Sequence, residues 1–235
     1  MAPGRVVAVD GPSAVGKTVA VRTVAAAVGG SVLPEAYRRL DPVPSLDFRN
    51  PVELVELERA LLEEEARRFV EARARARAGA TVIVDTGFLG PLTYTWGLVQ
   101  RGDVPRSVLP PLLALARRLG ARGRWGLPDV EIYLDAPAAT CAARARADPA
   151  GHPAALARRH RAVGTRERRF YRERLGPVLG ARLQWLRATA PARTVAAHVA
   201  EVVRLGPPVT TSLPPVRAVL ALFPADGAAS ARGNR

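Results

Sequence analysis

Residues 6–18 read VVAVDGPSAVGKT, and this stretch decides the fold. Its first five residues are a short apolar run that ends in an acid, Asp10. The next eight match the pattern G-x-x-x-x-G-K-[ST] without a mismatch. A helical pattern of apolar residues follows over 17–28. A strand, a glycine-rich turn and a helix in this order predict a phosphate-binding loop in an α/β protein.

The predicted loop presents successive backbone N–H groups to one concavity, and the helix behind it adds the positive end of its dipole. Its residues, all predicted to contact nucleotide, are Gly11, Pro12, Ser13, Ala14, Val15, Gly16, Lys17 and Thr18. In such loops the lysine neutralises the β- and γ-phosphates and the hydroxyl ligates Mg²⁺. The predicted ligands are therefore ATP and Mg²⁺.

Lys17 is the only lysine in the chain, which has 35 basic residues. A sequence that otherwise uses arginine thus places its one compact ammonium where a point charge must fit among phosphates. This coincidence favours a nucleotide site over a glycine turn beside an exposed lysine.

Short apolar runs alternate with helical patterns along the rest of the chain. Strands are predicted at 6–10, 31–33, 81–85, 130–135 and 182–187. Helices are predicted at 17–28, 51–78, 138–147, 158–175 and 191–205, with two more between 88 and 121. This alternation predicts a three-layer α/β fold, a five-stranded parallel sheet with helices on both faces. One domain is expected over residues 1–205, followed by a Pro-rich tail over 206–235 that is flexible unless 216–223 docks as a short helix.

Two acids are candidates for catalysis because they end or follow predicted strands. Asp85 ends the third strand, next to the loop, where it can ligate Mg²⁺ or act as a base. Glu35 follows the second strand and can accept the proton of a substrate hydroxyl. The alternative for Asp85 is a turn or capping acid, and for Glu35 an ion pair with Arg38 or Arg39.

Composition excludes several classes of protein. Apolar residues make up 48% of the 235 residues and charged residues 24%, as in globular proteins. A single cysteine excludes a disulfide framework, and no apolar run reaches the length of a membrane span. No signal peptide is visible, so a cytoplasmic protein is expected. The net charge of +14 reflects either arginine-rich genome composition or a surface that attracts anions.

These motifs, in this order, resemble the P-loop small-molecule kinases of the nucleoside and nucleotide kinase superfamily, with thymidylate and deoxynucleoside kinases as the nearest relatives. The stretch LPEAYRRL (33–40) is similar to the segment carrying the base of deoxynucleoside kinases, which implies that role for Glu35. The resemblance implies a lid over about 145–170, where Arg144 and Arg158, with Arg146, Arg159 and Arg161, would clamp the transferring phosphoryl group. The implied activity is transfer of the γ-phosphoryl group of ATP to a small molecule, most simply a nucleoside or nucleotide, by an enzyme that can be a homodimer.

Two places in the sequence depart from that pattern. The third-strand acid is normally followed by an arginine that grips a phosphate, and here Thr86 follows Asp85. Gly90-Pro91 replaces a serine or similar residue expected shortly after it. Both changes favour a neutral hydroxyl acceptor over a nucleoside monophosphate.

Two other functions remain open from the sequence. One is an antibiotic phosphotransferase on the same fold. The other is a regulatory nucleotide-binding ATPase without an acceptor. A regulator that binds nucleic acid is disfavoured, because basic residues are spread widely along the sequence and no nucleic-acid-binding motif is apparent.

Overall fold

The computed structural model describes residues 4–42, 48–147, 154–205 and 213–223. Its five strands are β1 (Arg5–Asp10), β2 (Ser31–Leu33), β3 (Thr81–Asp85), β4 (Val130–Asp135) and β5 (Leu183–Arg187). They form one parallel sheet in the order β2-β3-β1-β4-β5. The predicted five-stranded parallel sheet is therefore confirmed. Because β1 is central, the loop after this strand opens at the middle of the carboxyl edge.

The described α-helices connect and cover these strands. They are α1 (Lys17–Val28), α2 (Pro51–Arg77), α3 (Gly90–Arg101), α4 (Leu109–Ala121), α5 (Ala138–Ala147), α6 (Ala154–Arg169), α7 (Gly176–Leu179), α8 (Ala192–Leu205) and α9 (Val216–Leu220). A π-helical segment, Phe170–Leu175, continues α6. Residues 154–157, predicted as loop, instead form the first turn of α6, because small apolar residues there favour a helix.

Alternating side chains of β1 divide the core into two layers. Val7 and Val9 face one layer, which is packed by α1 and α8. Val6 and Ala8 face the other, which is packed by α2 and α4. All four are fully buried, as expected for a central parallel strand. Helices thus cover both faces, as predicted.

Part of the Pro-rich segment joins the second layer. Val219 and Phe223 are almost completely buried, and the Phe223 ring stacks on Phe170 with centroids 4.5 Å apart. A guanidinium N–H of Arg174 donates to the Leu222 carbonyl at 2.9 Å. Residues 216–223 therefore dock on the domain, whereas 206–212 and 224–235 lie outside the described residues.

Candidate active site

The loop between β1 and α1 has the backbone of an anion site. Gly11, Ala14 and Gly16 have positive φ angles of 140°, 62° and 105°. A Cβ atom on Gly11 would overlap the carbonyl oxygen of Leu134, so that position requires glycine. Gly16 precedes α1 without a side-chain cap, which leaves the first amides of the helix available to a ligand.

Lys17 is held across this loop by backbone carbonyls. Its Nζ donates to the carbonyl oxygens of Gly11 at 2.9 Å and Pro12 at 3.2 Å. The ammonium is therefore positioned over the concavity that the predicted phosphates would enter.

Thr18 and Asp85 approach each other from α1 and β3. The Thr18 side chain hydrogen-bonds to Asp85, whose carboxylate is 3% exposed and whose Oδ1 has no hydrogen-bond partner among the described residues. Burial raises the pKa of Asp85, the charge of Glu35 adds to the rise, and the Thr18 bond and Lys17 oppose it. Two hard oxygens beside the loop suit Mg²⁺, which takes few protein ligands and completes its shell with phosphates and water. The described ranges contain no group of three or more His, Cys, Asp or Glu side chains placed to hold a metal.

Glu35 lies just before a short 3₁₀ turn, Ala36–Arg39, on the acceptor side of the loop. Its Oε1 accepts a hydrogen bond from the Thr86 hydroxyl at 2.7 Å, and its Oε2 lies 3.7 Å from Nε of Arg38. The ion pair with Arg38 considered above thus forms, but it is long and half exposed. Thr86, the residue directly after β3, has a φ of 64°, an uncommon conformation for a β-branched residue. The chain turns here, where the Thr86 hydroxyl contacts Glu35.

The structure separates the two arginines that were expected to act together in the lid. Arg144 donates to the carbonyls of Val15 at 2.7 Å and Ala190 at 3.2 Å, so it ties the phosphate loop to the connection between β5 and α8. Arg158 is exposed and lines a second cavity of about 470 Å³ with Phe48 and Arg101. Arg144 borders the cavity beside the phosphate loop, called the main cavity below, and Arg158 does not. Their contacts with a phosphoryl group remain predictions.

A cavity of about 730 Å³ joins these parts. The phosphate loop forms one side, and Glu35 and Thr86 border it at the ends of β2 and β3. Another wall is formed by residues from α2, α3 and α6, namely Leu57, Glu58, Leu61, Glu65, Gly90, Pro91, Tyr94, His160 and Glu167. Tyr37, Arg38 and residues of α5 and α8 complete the lining. The volume is typical of a small-molecule site.

Sequence reasoning missed the acids on this wall. Glu58 and Glu65 are each 3% exposed, although they lie on a helix whose outer face is rich in Glu and Arg. The available signal was spacing: Leu54, Glu58, Leu61 and Glu65 follow the i, i+4, i+7, i+11 pattern of a buried stripe. Glu65 pairs with the buried Arg68, whereas Oε2 of Glu58 has no hydrogen-bond partner among the described residues.

Comparisons with known proteins agree with this architecture. The AAA domain family matches residues 6–119. The structure of deoxyadenosine kinase from M. mycoides with bound dATP superposes with a TM-score of 0.68 and 12% identity, covering 85% of this chain and 99% of that one. The same kinase with the products dCMP and a flexible dCDP gives a TM-score of 0.60 and 13% identity, and with bound dCTP 0.57 and 12%, at the same coverage.

No curated protein sequence matches the chain. No helix in the described ranges is both long and apolar enough to cross a membrane. The parallel sheet order, the loop after β1 and the superposition over most of both chains lead to one structural conclusion: this protein has the P-loop fold of deoxynucleoside kinases.

Proposed function

We propose that the protein is an ATP-dependent kinase that transfers the γ-phosphoryl group to a hydroxyl of a small molecule. The observation that carries this proposal is the common cavity, bordered by the phosphate loop on one side and by Glu35 and the acidic wall on the other. A loop alone would serve any nucleotide-binding protein. An acceptor needs an enclosed space beside the loop, with a carboxylate at its border.

In the proposed reaction the loop amides and Lys17 hold the β- and γ-phosphates. The acceptor oxygen bonds to the γ-phosphorus as the bond to the β-phosphate oxygen breaks, and ADP leaves. Glu35 accepts the proton of the acceptor hydroxyl. For this its carboxylate must give up the hydrogen bond from the Thr86 hydroxyl and accept one from the substrate instead. Positioning and electrostatics supply most of the catalysis of such transfers.

Mg²⁺ would be held by Thr18 and Asp85 and would neutralise charge on the β- and γ-oxygens. Asp85 is suited to this because its free Oδ1 is buried beside the Thr18 hydroxyl. We therefore assign the base role to Glu35 and the metal role to Asp85, and the two assignments make different predictions for their amide variants.

The residues directly after β3 favour a neutral acceptor. Thr86 offers a hydroxyl, already used by Glu35, where related kinases carry a phosphate-gripping arginine. Pro91 and Gly90 add no charge to the cavity wall. A nucleoside therefore fits better than a nucleoside monophosphate, and a hydroxyl-bearing antibiotic meets the same condition.

The experiment is an acceptor panel assayed for ADP release and for product mass. ATP and Mg²⁺ are combined with nucleosides, nucleoside monophosphates, aminoglycosides and phenicols, using wild type, Lys17→Ala and Glu35→Gln. We expect a phosphorylated product from a neutral or cationic acceptor, loss of at least about 100-fold in kcat for Lys17→Ala, and a similar loss for Glu35→Gln.

Glu35→Gln should still bind ATP, whereas Lys17→Ala should bind it weakly. ADP release without any phosphorylated product would instead identify a plain ATPase. Normal turnover by Lys17→Ala would refute the donor site.

A further inference from the structure

We propose that the acceptor carries a protonated amine as well as a hydroxyl, and that Glu58 binds this amine from the cavity wall. The inference rests on the proposed function, since it concerns the acceptor of that same site. It adds a charge to the acceptor that neither the fold nor the phosphate loop requires.

The first argument is the position of Glu58. It lies on α2 between Leu54 and Leu61, in the buried stripe of the helix, and it borders the main cavity. Its side chain is 3% exposed, and its Oε2 has no hydrogen-bond partner within the described residues. A buried carboxyl that lacks a partner costs free energy of folding, so an apolar residue here would give a more stable protein.

The second argument is the charge around Glu58. Burial raises the pKa of Glu58 well above its usual value, and the nearby Glu167 raises it further. Among the described residues, Glu167 accepts a long hydrogen bond of 3.3 Å from the Thr93 hydroxyl. Desolvation raises the pKa of Glu167 to about 7, and Lys17 opposes this rise, although part of the residue stays exposed. In the described chain, no cation offsets the effect of Glu167 on Glu58.

The cations near the cavity have contacts of their own, and Lys17 in addition lowers the pKa of Glu167. Lys17 and Arg144 bond to carbonyls of the phosphate loop, and Arg38 lies against Glu35. Arg159 of α6 stacks on Phe48 at 4.6 Å and its charge acts on Tyr94. The phosphate-loop side of the cavity thus carries Lys17 and Arg144, whereas the wall of α2, α3 and α6 carries Glu58, Glu65 and Glu167 together with His160.

A protonated amine fits this wall better than a neutral hydroxyl does. It would donate to Glu58 and reduce the repulsion between Glu58 and Glu167, whereas a neutral hydroxyl would supply only the hydrogen bond. The Tyr94 ring also lines the cavity, beside His160, and the face of such a ring attracts a cation. Leu57 and Leu61 leave an apolar path for the carbon skeleton.

The test compares acceptors that carry a charged amine with derivatives in which that amine is a neutral amide. The probes are kanamycin and its fully N-acetylated derivative, glucosamine and N-acetylglucosamine, with deoxyadenosine as a neutral acceptor. Binding is measured by calorimetry with Mg²⁺ and a non-hydrolysable ATP analogue, and transfer by product mass. The variants are Glu58→Gln and, as a matched control on the exposed face of the same helix, Glu56→Gln.

We expect at least one amine to bind about tenfold or more tightly than its acetylated partner, and this preference to vanish in Glu58→Gln but persist in Glu56→Gln. Because Gln has nearly the volume of a protonated Glu58 and is likewise neutral, Glu58→Gln should fold, which thermal melting checks, and calorimetry with ATP tests its donor site. A preference that survives Glu58→Gln would overturn the proposal.

The outcomes separate this inference from the kinase function. Phosphorylation of deoxyadenosine with no preference for amines would reject the amine and keep the kinase. Glu58-dependent binding of an amine without transfer would keep the amine site and reject the kinase. No binding of either amine would reject the inference, whatever the fate of deoxyadenosine.

Discussion

Arg68 is a fully buried arginine that fixes the carboxyl end of β3. One of its terminal nitrogens donates to the carbonyls of Asp85 at 2.8 Å and Thr86 at 3.1 Å, and the other pairs with Glu65. Its guanidinium also lies 5.8 Å from the centre of the Phe88 ring. The peptide groups that carry Asp85 and Thr86 are thereby held by a side chain outside the cavity.

We expect Arg68→Met to lower the free energy of unfolding by about 3–5 kcal/mol, because it leaves the Glu65 carboxyl buried without its partner. Arg67→Met, whose side chain is 57% exposed, should cost no more than about 0.5 kcal/mol. Urea unfolding followed by circular dichroism measures both.

Adding Glu65→Leu to Arg68→Met should recover much of the loss, since the orphaned carboxyl is then removed. A loss below about 1 kcal/mol in Arg68→Met alone would contradict this account of the strand end.

At the scale of elements, the sequence predicts the positions of the strands well, because glycine turns mark where strands and helices end. Gly11, Gly29 and Gly79 have positive φ angles at or beside the ends of β1, α1 and α2, where glycines mark the predicted boundaries. β5 begins one residue later than predicted, at Leu183. The π-helical segment after α6 was missed because its apolar spacing over so few residues does not differ clearly from that of an α-helix.

The candidate site was predictable where a local motif or the end of a strand fixes the position of a residue. The loop and the Thr18–Asp85 pair follow from strand ends that a parallel sheet brings together. In contrast, Arg144 donates to the backbone carbonyl of Val15. Every residue has such a carbonyl, so the amino-acid sequence does not indicate which one accepts this hydrogen bond. Likewise Glu58 and Glu167 belong to helices far apart in sequence, and only tertiary packing places them on one wall.

Gly164 lets α6 approach the phosphate loop closely. A Cβ atom added there would lie 3.3 Å from Cβ of Pro12, and the preceding Val163 fits against Gly97 of α3. The helix is therefore held between α3 and the loop, with little room for larger side chains.

We expect Gly164→Leu to raise KM for ATP about tenfold, because it displaces α6 from Pro12 and disturbs the loop. Thr165→Leu places the same side chain on the exposed face of α6 and should leave KM unchanged. Steady-state kinetics with the acceptor found in the panel, together with thermal melting to verify folding, measures the effect. Equal KM values in the two variants would show that α6 does not restrain the loop.

At the scale of the whole molecule, acids are buried in both the cavity and the core. Glu131, 1% exposed on β4, lies beside Asp10, which accepts hydrogen bonds from the Gly87 amide at 2.9 Å and the Tyr171 hydroxyl at 2.8 Å. Burial raises the pKa of Glu131 well above its usual value, and the neighbouring Asp10 raises it further. One proton held between the two carboxyls removes their repulsion.

This arrangement has a definite effect on stability. The folded protein keeps the proton of Glu131, whereas the unfolded chain releases it above a pKa of about 4.3. The folded state therefore binds more protons, and the free energy of unfolding should fall as pH rises from about 4.5 towards the raised pKa. Glu58 and Glu65, whose pKa values are also raised by burial, contribute in the same direction.

Glu131→Gln tests this linkage because its amide stays neutral and can still donate to Asp10. We expect the variant to gain stability relative to wild type between about pH 4.5 and about pH 8, as measured by urea unfolding at both values, while Glu201→Gln on the exposed face of α8 tracks wild type. Parallel pH profiles for Glu131→Gln and wild type would mean that the carboxyl pair binds no extra proton in the folded state. A gain of the variant over wild type across this range reports the proton directly, since no other ionisable group differs between the two proteins, whereas a loss would contradict the raised pKa of Glu131.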